Sequence, residues 1–452
     1  MNGLGNFLKN KAVLRDCKIY QMLRFAARKK HVSFHTPGHK VGKWDITELD
    51  FSDNLSCPRG CIAEAEQDIA RSLGAKNSFI LTDGSTSGVL AMLYAAKQRG
   101  VKRIFACQAT HKSFFNGCAL MGITPVLYPQ TTNDKIPVLP DFFAIEKEFY
   151  EELALCDGVF LTSPDYYGNV STAALSAWRN YCDKTGKTLL IDGAHGGHLH
   201  FDKALYAGRY ADMWVDGVHK NLPAFTQGAV VSARTEEWGE ALRLAVDIFR
   251  TTSPSYPIMA SVEYAVKYPE NLLLKTSVEA FETSCSRVYF GGDWTKLCAR
   301  FGPSAFEVEK RLGKQGVYSE FCDGNVIMFY LSPATALRDF QRLKKQLIRL
   351  FEEYPLPVIS VSNEAENTVQ RISGMPVFEK GTKKEWIEIE KSVDRICAIR
   401  CGLFPPCTPL LSDGELIEQS HVELLQKASN VFGLVDGKIL VYKEEQEKEN
   451  GK

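Results

Sequence analysis

The sequence has no excess of charge of either sign, because 54 lysines and arginines balance 54 aspartates and glutamates. A chain without a basic field has no general attraction for a nucleic-acid backbone or an anionic membrane surface, so we expect neither partner. No apolar run approaches a membrane span, and the first residues lack the apolar block and cleavage site of a secretory signal. We therefore expect a cytoplasmic protein whose partner is a small molecule.

Metal-binding patterns are also scarce. The thirteen cysteines are scattered, odd in number and without paired CxxC motifs, which is typical of reduced, buried thiols. The nearest approaches to a ligand spacing are Cys57 with Cys61, Cys397 with Cys401 and Cys407, and His195 with His198 and His200. These histidines form no helical i, i+4 pair, and the glycines between them provide no rigid scaffold. We predict that the protein binds no metal.

The composition that is present is that of a globular protein with a large core. The chain has 452 residues, of which 45% are hydrophobic, which is enough for two domains. Between residues 77 and 233 short apolar runs alternate with helical patterns, which predicts an α/β fold with a mainly parallel sheet. The divisions that we predict are an N-terminal arm (1–50), a large domain (51–290), a smaller α+β C-terminal domain (291–440) and a disordered charged tail (441–452).

The pattern changes after the predicted sheet. From 258 to 300 apolar residues recur at spacings of three and four, which predicts one long helix despite Pro269. Beyond it we expect a strand at 325–331, an amphipathic helix at 334–354 and a strand at 357–362. These elements predict the smaller domain.

Two charged residues each follow an apolar run. The run MWVDG leads into His219 and Lys220, and the run LLI is followed by Asp192. Strand ends in open α/β sheets open into the ligand crevice. A lysine there can bond to an aldehyde cofactor, and a carboxylate against a pyridine nitrogen keeps that ring protonated and ready to accept electrons. Each residue alone is typical of a loop, but together they indicate a pyridoxal-phosphate site.

A third pattern follows another predicted strand. The segment GSTSG (84–88) precedes an apolar helix, and its backbone amides with Ser85, Thr86 and Ser87 could hold a phosphate dianion. A plain helix cap explains one hydroxyl but not five small residues in a row. Neither Walker spacing nor GxGxxG is present.

Three flat or aromatic features accompany these patterns. His111 also follows a strand-like run, where it could stack on a cofactor ring or be an ordinary loop histidine. His195 is placed to lie beside the ring with Asp192. The tyrosines of the loop SPDYYGN (163–169) could line a pocket or simply pack.

With these residues assembled, the chain resembles the Orn/Lys/Arg decarboxylase family, in the compact form of Gram-positive bacteria. The resemblance covers about residues 30 to 262, with fainter traces to about 415. The motifs that carry it, in the family's order, are FHTPGHKVG from Phe34, DITEL, GSTSG, HKSFFNG, TSPDYYG, DGAHGGH, HKNLPAFTQGA and TTSPSYPIMAS.

The resemblance implies the aspartate-aminotransferase fold (fold type I), with a mainly parallel seven-stranded sheet and pyridoxal 5'-phosphate as cofactor. Lys220 would carry the cofactor as a Schiff base, Asp192 would pair with the pyridinium, and His111 and Ala194 would contact the two ring faces. The phosphate would be held by Ser85, Thr86 and His219, and across a dimer interface by Ser253 or Ser255. A homodimer is therefore the smallest assembly expected.

Several positions depart from the family pattern. Gly217 replaces a serine that contacts phosphate, and Gly193 replaces an acidic residue. LSCPRG replaces LHHPEG at Leu55–Gly60, and the late block survives only as FPPCTPLLSDGE (404–415). These departures lie where the family receives its substrate.

The activity implied is decarboxylation of arginine, lysine or ornithine to an amine that feeds polyamine metabolism. Two alternatives remain open. An aminotransferase or a lyase of this fold would use the same lysine and aspartate. A catalytically impaired paralogue would bind cofactor without turnover, which the departures favour and the intact Lys220, Asp192 and His111 oppose.

Overall fold

A seven-stranded sheet lies at the centre of the protein, in a computed structural model that describes residues 8–29, 32–40, 44–133, 136–139, 141–356, 383–403, 409–428 and 430–443. Its strands are β1 (Asn77–Leu81), β2 (Arg103–Cys107), β3 (Thr124–Tyr128), β6 (Gly158–Thr162), β7 (Thr188–Gly193), β8 (Met213–Asp216) and β9 (Ala229–Ala233). The order is β1-β9-β8-β7-β6-β2-β3, and within this sheet β9 alone runs antiparallel. The predicted mainly parallel sheet is therefore confirmed. A separate hairpin pairs β4 (Thr132–Asn133) with β5 (Ile136–Pro137).

Helices cover both faces of this sheet. They are α3 (Cys61–Leu73), α4 (Ser85–Gln98), α5 (Lys112–Met121), α6 (Phe142–Glu148), α7 (Tyr150–Ala154), α8 (Thr172–Thr185), α9 (Val218–Asn221), α10 (Glu236–Phe249) and α11 (Tyr256–Val266). In β6, Val159 packs into one apolar cluster and Phe160 into the other. Because the strands are buried on both faces, their sequences are continuous apolar runs without polar alternation.

The N-terminal segment is fastened to the large sheet's helical layer. It contains α1 (Lys11–Asp16) and α2 (Lys18–Arg28), whose buried residues join the same apolar cluster as α11. The amides of Lys18 and Ile19 donate to the fully buried carboxylate of Glu263 in α11, at 2.6 and 3.0 Å. A carboxylate at these otherwise unpaired amides stabilises the first turn of α2.

The single long helix predicted for 258–300 is wrong. Helix α11 ends at Val266, and α12 (Leu272–Ser284) begins after Pro269 with Asn271 as its N-cap. Two strands follow, β10 (Val288–Tyr289) and β11 (Lys296–Arg300). Proline cannot donate the helical hydrogen bond, and its ring obstructs the preceding turn. The spacing of apolar residues looked helical throughout, although the segment contains two helices and two strands.

The described residues of the C-terminal part form two larger sheets and one two-stranded sheet. One larger sheet is antiparallel in the order β10-β11-β13-β12, with β12 at Phe321–Cys322 and β13 at Val326–Tyr330. It packs with α12, α13 (Ala305–Lys314) and α14 (Leu337–Glu353). The other has the order β14-β18-β17 (Lys384–Glu388, Lys438–Tyr442 and Leu434–Val435). The two-stranded sheet pairs β15 (Gly402–Leu403) with β16 (Val431–Phe432), and α15 spans Gln419–Lys427.

Three predictions concern segments that lie wholly or partly outside the described residues. The strand predicted at 357–362 and the first part of the late block, 404–408, lie outside them. Strand β18 extends to Tyr442, two residues into the predicted charged tail, and 444–452 also lie outside the described residues. No helix in the described ranges combines the length and hydrophobicity needed to cross a bilayer.

Candidate active site

Lys220 lies where strand β8 ends. The strand stops at Asp216, and Lys220 follows on the one-turn helix α9, with its amide donating to the Gly217 carbonyl at 3.0 Å. Its amine lies at the carboxyl edge of the parallel strands. The sequence predicted this position at a strand end, although the strand is shorter than the apolar run indicated.

Asp192 occupies the end of the neighbouring strand β7. The two strands are parallel, with Asp192 opposite Val215, so Asp192 and Lys220 face the same edge of the sheet. The carboxylate of Asp192 is buried and accepts the Ala194 amide at 3.0 Å. Burial raises the pKa of Asp192, and the charge of Lys220 opposes that shift. A cationic ring nitrogen is the partner that such a buried carboxylate suits.

His195 joins Lys220 to a residue from the four-stranded sheet. Its Nε2 lies 3.1 Å from Lys220 Nζ, and its Nδ1 hydrogen bonds the hydroxyl of Tyr330, the last residue of β13. Burial holds the pKa of His195 well below its usual value, and the charges of Lys220 and Lys296 act in the same direction. His195 is therefore a neutral imidazole at physiological pH.

His111 caps the helix that follows β2. Its ring accepts the Ser113 amide at 3.2 Å and lies 2.8 Å from the Ser113 hydroxyl. Burial lowers the pKa of His111 to about 4, with smaller contributions from Lys220 and Lys112. An uncharged, flat ring is thereby fixed at the edge of the site.

The predicted phosphate segment forms the first turn of α4. Gly84, with φ of 85°, precedes it, so the unpaired amides of a 14-residue helix point to the same end as the site. Ser85 is half-buried and Thr86 is exposed. The hydroxyl of buried Ser87 lies 2.9 Å from both the Asp83 carboxylate and the Gly84 carbonyl, which occupy it.

One cavity of about 240 Å³ runs along the carboxyl edge of the sheet. The predicted site residues that line it are Ser85, His111, Asp192, Ala194, His195 and Lys220. Thr86, Ser87, His219, Ser253 and Ser255 are outside its lining. The ring of His219 lies 2.9 Å from the Gly228 carbonyl. The structure therefore brings together the residues predicted to contact the cofactor ring, and most of the residues predicted to bind its phosphate lie outside the cavity lining.

Apolar and aromatic side chains also line the cavity. They include Tyr128, Leu161, Leu175 and Trp178. Among the described lining residues Asp165 is the other carboxylate, and it accepts amides of Tyr167 and Asn169. Burial raises the pKa of Asp165 to about 6, against these hydrogen bonds.

The two glycine departures have a steric cause. A Cβ on Gly217 would lie 2.4 Å from the Ala194 carbonyl oxygen, closer than side chains approach backbone. A Cβ on Gly193 would lie 3.0 Å from Asp216 Oδ1 and from the Val215 carbonyl. The loop after β7 therefore approaches β8 so closely that a side chain at Gly217 would require the backbone to shift, whereas one at Gly193 would need its neighbours to move by a few tenths of an ångström.

A buried polar network lies beneath His195. Lys296 Nζ donates to the His195 carbonyl at 2.9 Å and to Asp293 at 2.7 Å, and Asp293 also contacts His198 Nε2 at 2.7 Å. Asn221, next to Lys220, contacts the Thr295 hydroxyl at 3.1 Å. All these groups are buried. The residues that lead into β11 thus contact both the loop that carries His195 and the helix α9 that carries Lys220.

Sequence reasoning did not find Tyr330, Asp293 or Lys296. Tyr330 lies within the run 325–331, which is predicted as an ordinary strand, and the other two lie within the segment predicted as helix. The aromatic loop 163–169 was singled out, and Tyr166 does contact His195, with ring centroids 4.8 Å apart. No group of three or more His, Cys, Asp or Glu side chains in the described ranges is arranged to hold a metal. The twelve described cysteines form no disulfide.

Comparison with known proteins assigns the class. The family model described as "Orn/Lys/Arg decarboxylase, major domain" matches residues 43–283, more than half of the chain. The chain therefore belongs to the Orn/Lys/Arg decarboxylase family, whose members are pyridoxal-phosphate-dependent carboxy-lyases.

Individual relatives extend the match to nearly the whole chain. The uncharacterized protein YaaO of Bacillus subtilis is 28% identical, covering 95% of this chain and 99% of YaaO. An arginine decarboxylase of Halalkalibacterium halodurans is 26% identical, covering 90% of this chain and 92% of the relative. The solved constitutive lysine decarboxylase of E. coli has a TM-score of 0.68 at 18% identity, covering 94% of this chain and 82% of that one. This last likeness supports the predicted fold.

Proposed function

We propose that the chain decarboxylates a basic amino acid, arginine, lysine or ornithine, with pyridoxal 5'-phosphate held on Lys220. The observation that carries the proposal is that Lys220 and buried Asp192 end neighbouring strands and line one cavity with His111 and Ser85. When bound, the cofactor accepts the electron pair that remains at the substrate Cα as carbon dioxide leaves. Family relatives named arginine and lysine decarboxylase support the basic substrate.

Each lining residue has a role in this proposal. Asp192 would hold the ring nitrogen in its cationic form, and His111 and Ala194 would contact the cofactor ring. Ser85 and Thr86 would bind the phosphate with the first amides of α4, which carry the positive end of the helix dipole. Lys220 must be neutral to form its bond, and the neutral His195 Nε2 lies 3.1 Å from its amine, within hydrogen-bonding distance.

The assembly that we propose is a homodimer or a larger homo-oligomer. Ser253 and Ser255 precede α11 outside this chain's cavity, which is compatible with their serving a partner's phosphate site. Phe34 and Val32 of the N-terminal segment are 94% and 84% exposed, and a large exposed apolar surface favours burial in an interface. We further propose a cytoplasmic enzyme of polyamine metabolism. Light scattering of the purified holoenzyme tests the assembly, and a monomer would contradict it.

Product analysis tests the activity. The holoenzyme is incubated with arginine, lysine and ornithine separately, and products are identified by mass. An amine with release of carbon dioxide is expected from one of the three. A keto acid would instead indicate an aminotransferase, and bound cofactor without any product would indicate an impaired paralogue.

A further inference from the structure

The cavity holds one carboxylate that the proposed cofactor does not use. Among the described residues that line the cavity, Lys220 is the one lysine or arginine, and Asp192 and Asp165 are the carboxylates. Asp192 would face the cationic ring nitrogen, which leaves Asp165 without a lysine or arginine partner in the lining. A basic amino acid brings a cation with it, at the end of its side chain.

Hydrogen bonds within one loop fix the direction of the Asp165 carboxylate. Its Oδ1 accepts the amides of Tyr167 and Asn169, both at 2.9 Å, and its Oδ2 accepts Asn169 Nδ2 at 2.7 Å. The Asp165 amide in turn donates to the Asn169 carbonyl at 3.1 Å. A carboxylate offers about four acceptor positions, so these hydrogen bonds fill Oδ1 and leave one position on Oδ2. Because the loop already holds the side chain, a ligand that binds there does not have to order it.

Gln130 adds a second acceptor to the cavity. Both hydrogens of its Nε2 donate to backbone carbonyls, at 3.1 and 2.9 Å, and the nearer carbonyl is that of Val138. The amide oxygen Oε1 is therefore the atom of Gln130 that a ligand can use. Its one contact among the described residues is a weak one, from the Cys107 thiol at 3.7 Å, and a carbonyl oxygen accepts two hydrogen bonds.

The two acceptors lie on the same side of the cavity. Asn169, which holds the Asp165 carboxylate, also donates from Nδ2 to the Pro137 carbonyl at 2.9 Å. Gln130 donates to the carbonyl of Val138, the next residue. Gln130 and the Asp165 loop therefore contact adjacent residues of one segment, and Asp165, Gln130 and Pro137 all line the cavity.

Aromatic rings line the cavity beside Asp165. Tyr166 and Tyr167 follow it in the chain, and both pack edge-on against Phe321, with ring centroids 5.0 and 5.4 Å apart. The two tyrosine hydroxyls donate to carboxylates outside the cavity lining, at 2.9 and 2.8 Å. The methylene groups of a basic side chain pack on such apolar surfaces while the charged end reaches a polar group.

The order of the strands places these acceptors to one side of Lys220. Lys220 follows β8, Asp192 ends the neighbouring strand β7, and Asp165 follows β6, the next strand across. Gln130 follows β3, at the edge of the sheet beyond β2. Adjacent strands lie about 5 Å apart. A substrate whose Cα is held beside Lys220 would therefore reach Asp165 by extending its side chain across the neighbouring strand ends.

We infer that Asp165 Oδ2, assisted by Gln130 Oε1, receives the cationic end of the substrate's side chain, an inference that rests on the proposed function. The substrate class is an α-amino acid that carries an ammonium or guanidinium group at the end of an aliphatic chain. Its α-amino group goes to the cofactor site at Lys220, and its distal cation pairs with Asp165. Burial raises the pKa of Asp165 to about 6, and a cation beside the carboxylate favours the ionised form that burial opposes.

The first test measures the binding of product amines to the holoenzyme without turnover. Agmatine, cadaverine and putrescine keep the distal cation of arginine, lysine and ornithine, whereas pentylamine lacks it. Each amine competes with Lys220 for the cofactor, so its affinity is read from the change in visible absorbance during a titration. Wild type should bind the best of the three about 10-fold to 100-fold more tightly than pentylamine, which is the usual effect of a hydrogen bond to a charged group. Equal affinity for all four amines would overturn the inference.

Two variants remove the charge of Asp165 and keep its turn. Asn or Ser at this position can still accept the Tyr167 amide. Asp165→Asn and Asp165→Ser should both lose the preference for the cationic amine and bind pentylamine as wild type does, and either variant is sufficient if the other fails to fold. Asp247→Asn, at an exposed position on α10, is the matched control and should keep the preference. A preference retained without the charge, or a loss of affinity for pentylamine as well, would overturn the role of Asp165.

A further variant examines the second acceptor. Gln130→Leu should reduce the preference by a smaller factor than the Asp165 variants, because it removes a neutral acceptor and leaves the charge in place. The same titration measures it. An unchanged preference in Gln130→Leu would remove Gln130 from the inference.

Turnover separates this inference from the proposed function. Asp165→Asn should raise KM for the preferred basic amino acid by about 10-fold or more and change kcat less, because the distal cation is not at the bond that breaks. Preferential binding of the cationic amine through Asp165, with no carbon dioxide released from any of the three amino acids, would contradict the proposed function and leave the recognition intact. Release of amine with an unchanged KM in both Asp165 variants would overturn the role of Asp165 alone.

Discussion

The carboxyl edge of the seven-stranded sheet and the neighbouring end of the four-stranded sheet serve one site in different ways. The first supplies the groups that would contact the cofactor, and each follows an apolar strand in the sequence. The second supplies Tyr330 at the end of β13 and Lys296 at the start of β11, which contact His195 but do not themselves line the cavity. Groups that would react lie on one sheet, and groups that hold them lie on the other.

The largest expected effect comes from a change at the seven-stranded sheet, which supplies the groups that would react. Lys220→Ala should abolish both turnover and the visible absorbance of lysine-bound cofactor, because no other lysine is among the described residues that line the cavity. Lys220→Arg is the control, since it keeps a cation but cannot form the bond. The measurement is absorbance of the protein with added pyridoxal phosphate, followed by borohydride reduction and peptide mapping. Labelling of a different lysine would remove Lys220 from the proposal.

The second prediction concerns the supporting sheet. Asp293→Asn leaves Lys296 fully buried without its carboxylate, so the free energy of unfolding should fall by about 3–5 kcal/mol. The matched control is Glu388→Gln, which removes an exposed ion pair with Lys438 and should cost about 1 kcal/mol at most. Urea unfolding of the two variants gives the comparison. Equal costs would mean that the buried pair does not hold the site.

The third prediction concerns the close approach of β7 and β8. Gly217→Ser should destabilise the protein by about 1–3 kcal/mol, because its Cβ meets the Ala194 carbonyl. Gly313→Ser on α13 is the control, since a Cβ there meets nothing within 4 Å. Thermal unfolding measures both. Tighter phosphate binding by Gly217→Ser at unchanged stability would show that the family's usual serine fits here.

The smallest change between neighbouring conditions is a pH slope, because its effect is spread over about three pH units. Burial raises the pKa of Asp216 to about 7, above the value of about 3.9 in an unfolded chain. The folded protein therefore binds the extra proton between these values, and stability falls as pH rises, by at most about 1.4 kcal/mol per pH unit. This contribution is complete below pH about 4 and lost as pH rises through about 7. Asp216→Asn should reduce the slope in urea unfolding, whereas exposed Asp247→Asn should keep it.

The comparison also explains what the sequence could predict. The strands of the large sheet are buried on both faces, so apolar runs located all of them, and the residues after each run located Asp192, His111 and Lys220. Tyr330 and Lys296 are found only when distant segments meet, because β13 and β11 place them against His195, which is 135 and 101 residues away in the chain. The prediction of one helix across Pro269 was wrong because the spacing of apolar residues carries no information about which backbone hydrogen bonds can form. The sequence shows only that Gly217 and Gly193 depart from the family pattern. The structure adds that the loop after β7 leaves little space for a side chain at either position.

The buried carboxylate of Glu263 makes the N-terminal segment part of the folded core, although terminal segments are often loosely attached. Removal of α2 would take away both amide donors and strand a negative charge in an apolar interior, with Lys267 at 3.1 Å as its remaining partner. Truncation that removes α1 and α2 would therefore destabilise the folded protein in the same way as a mutation in its core.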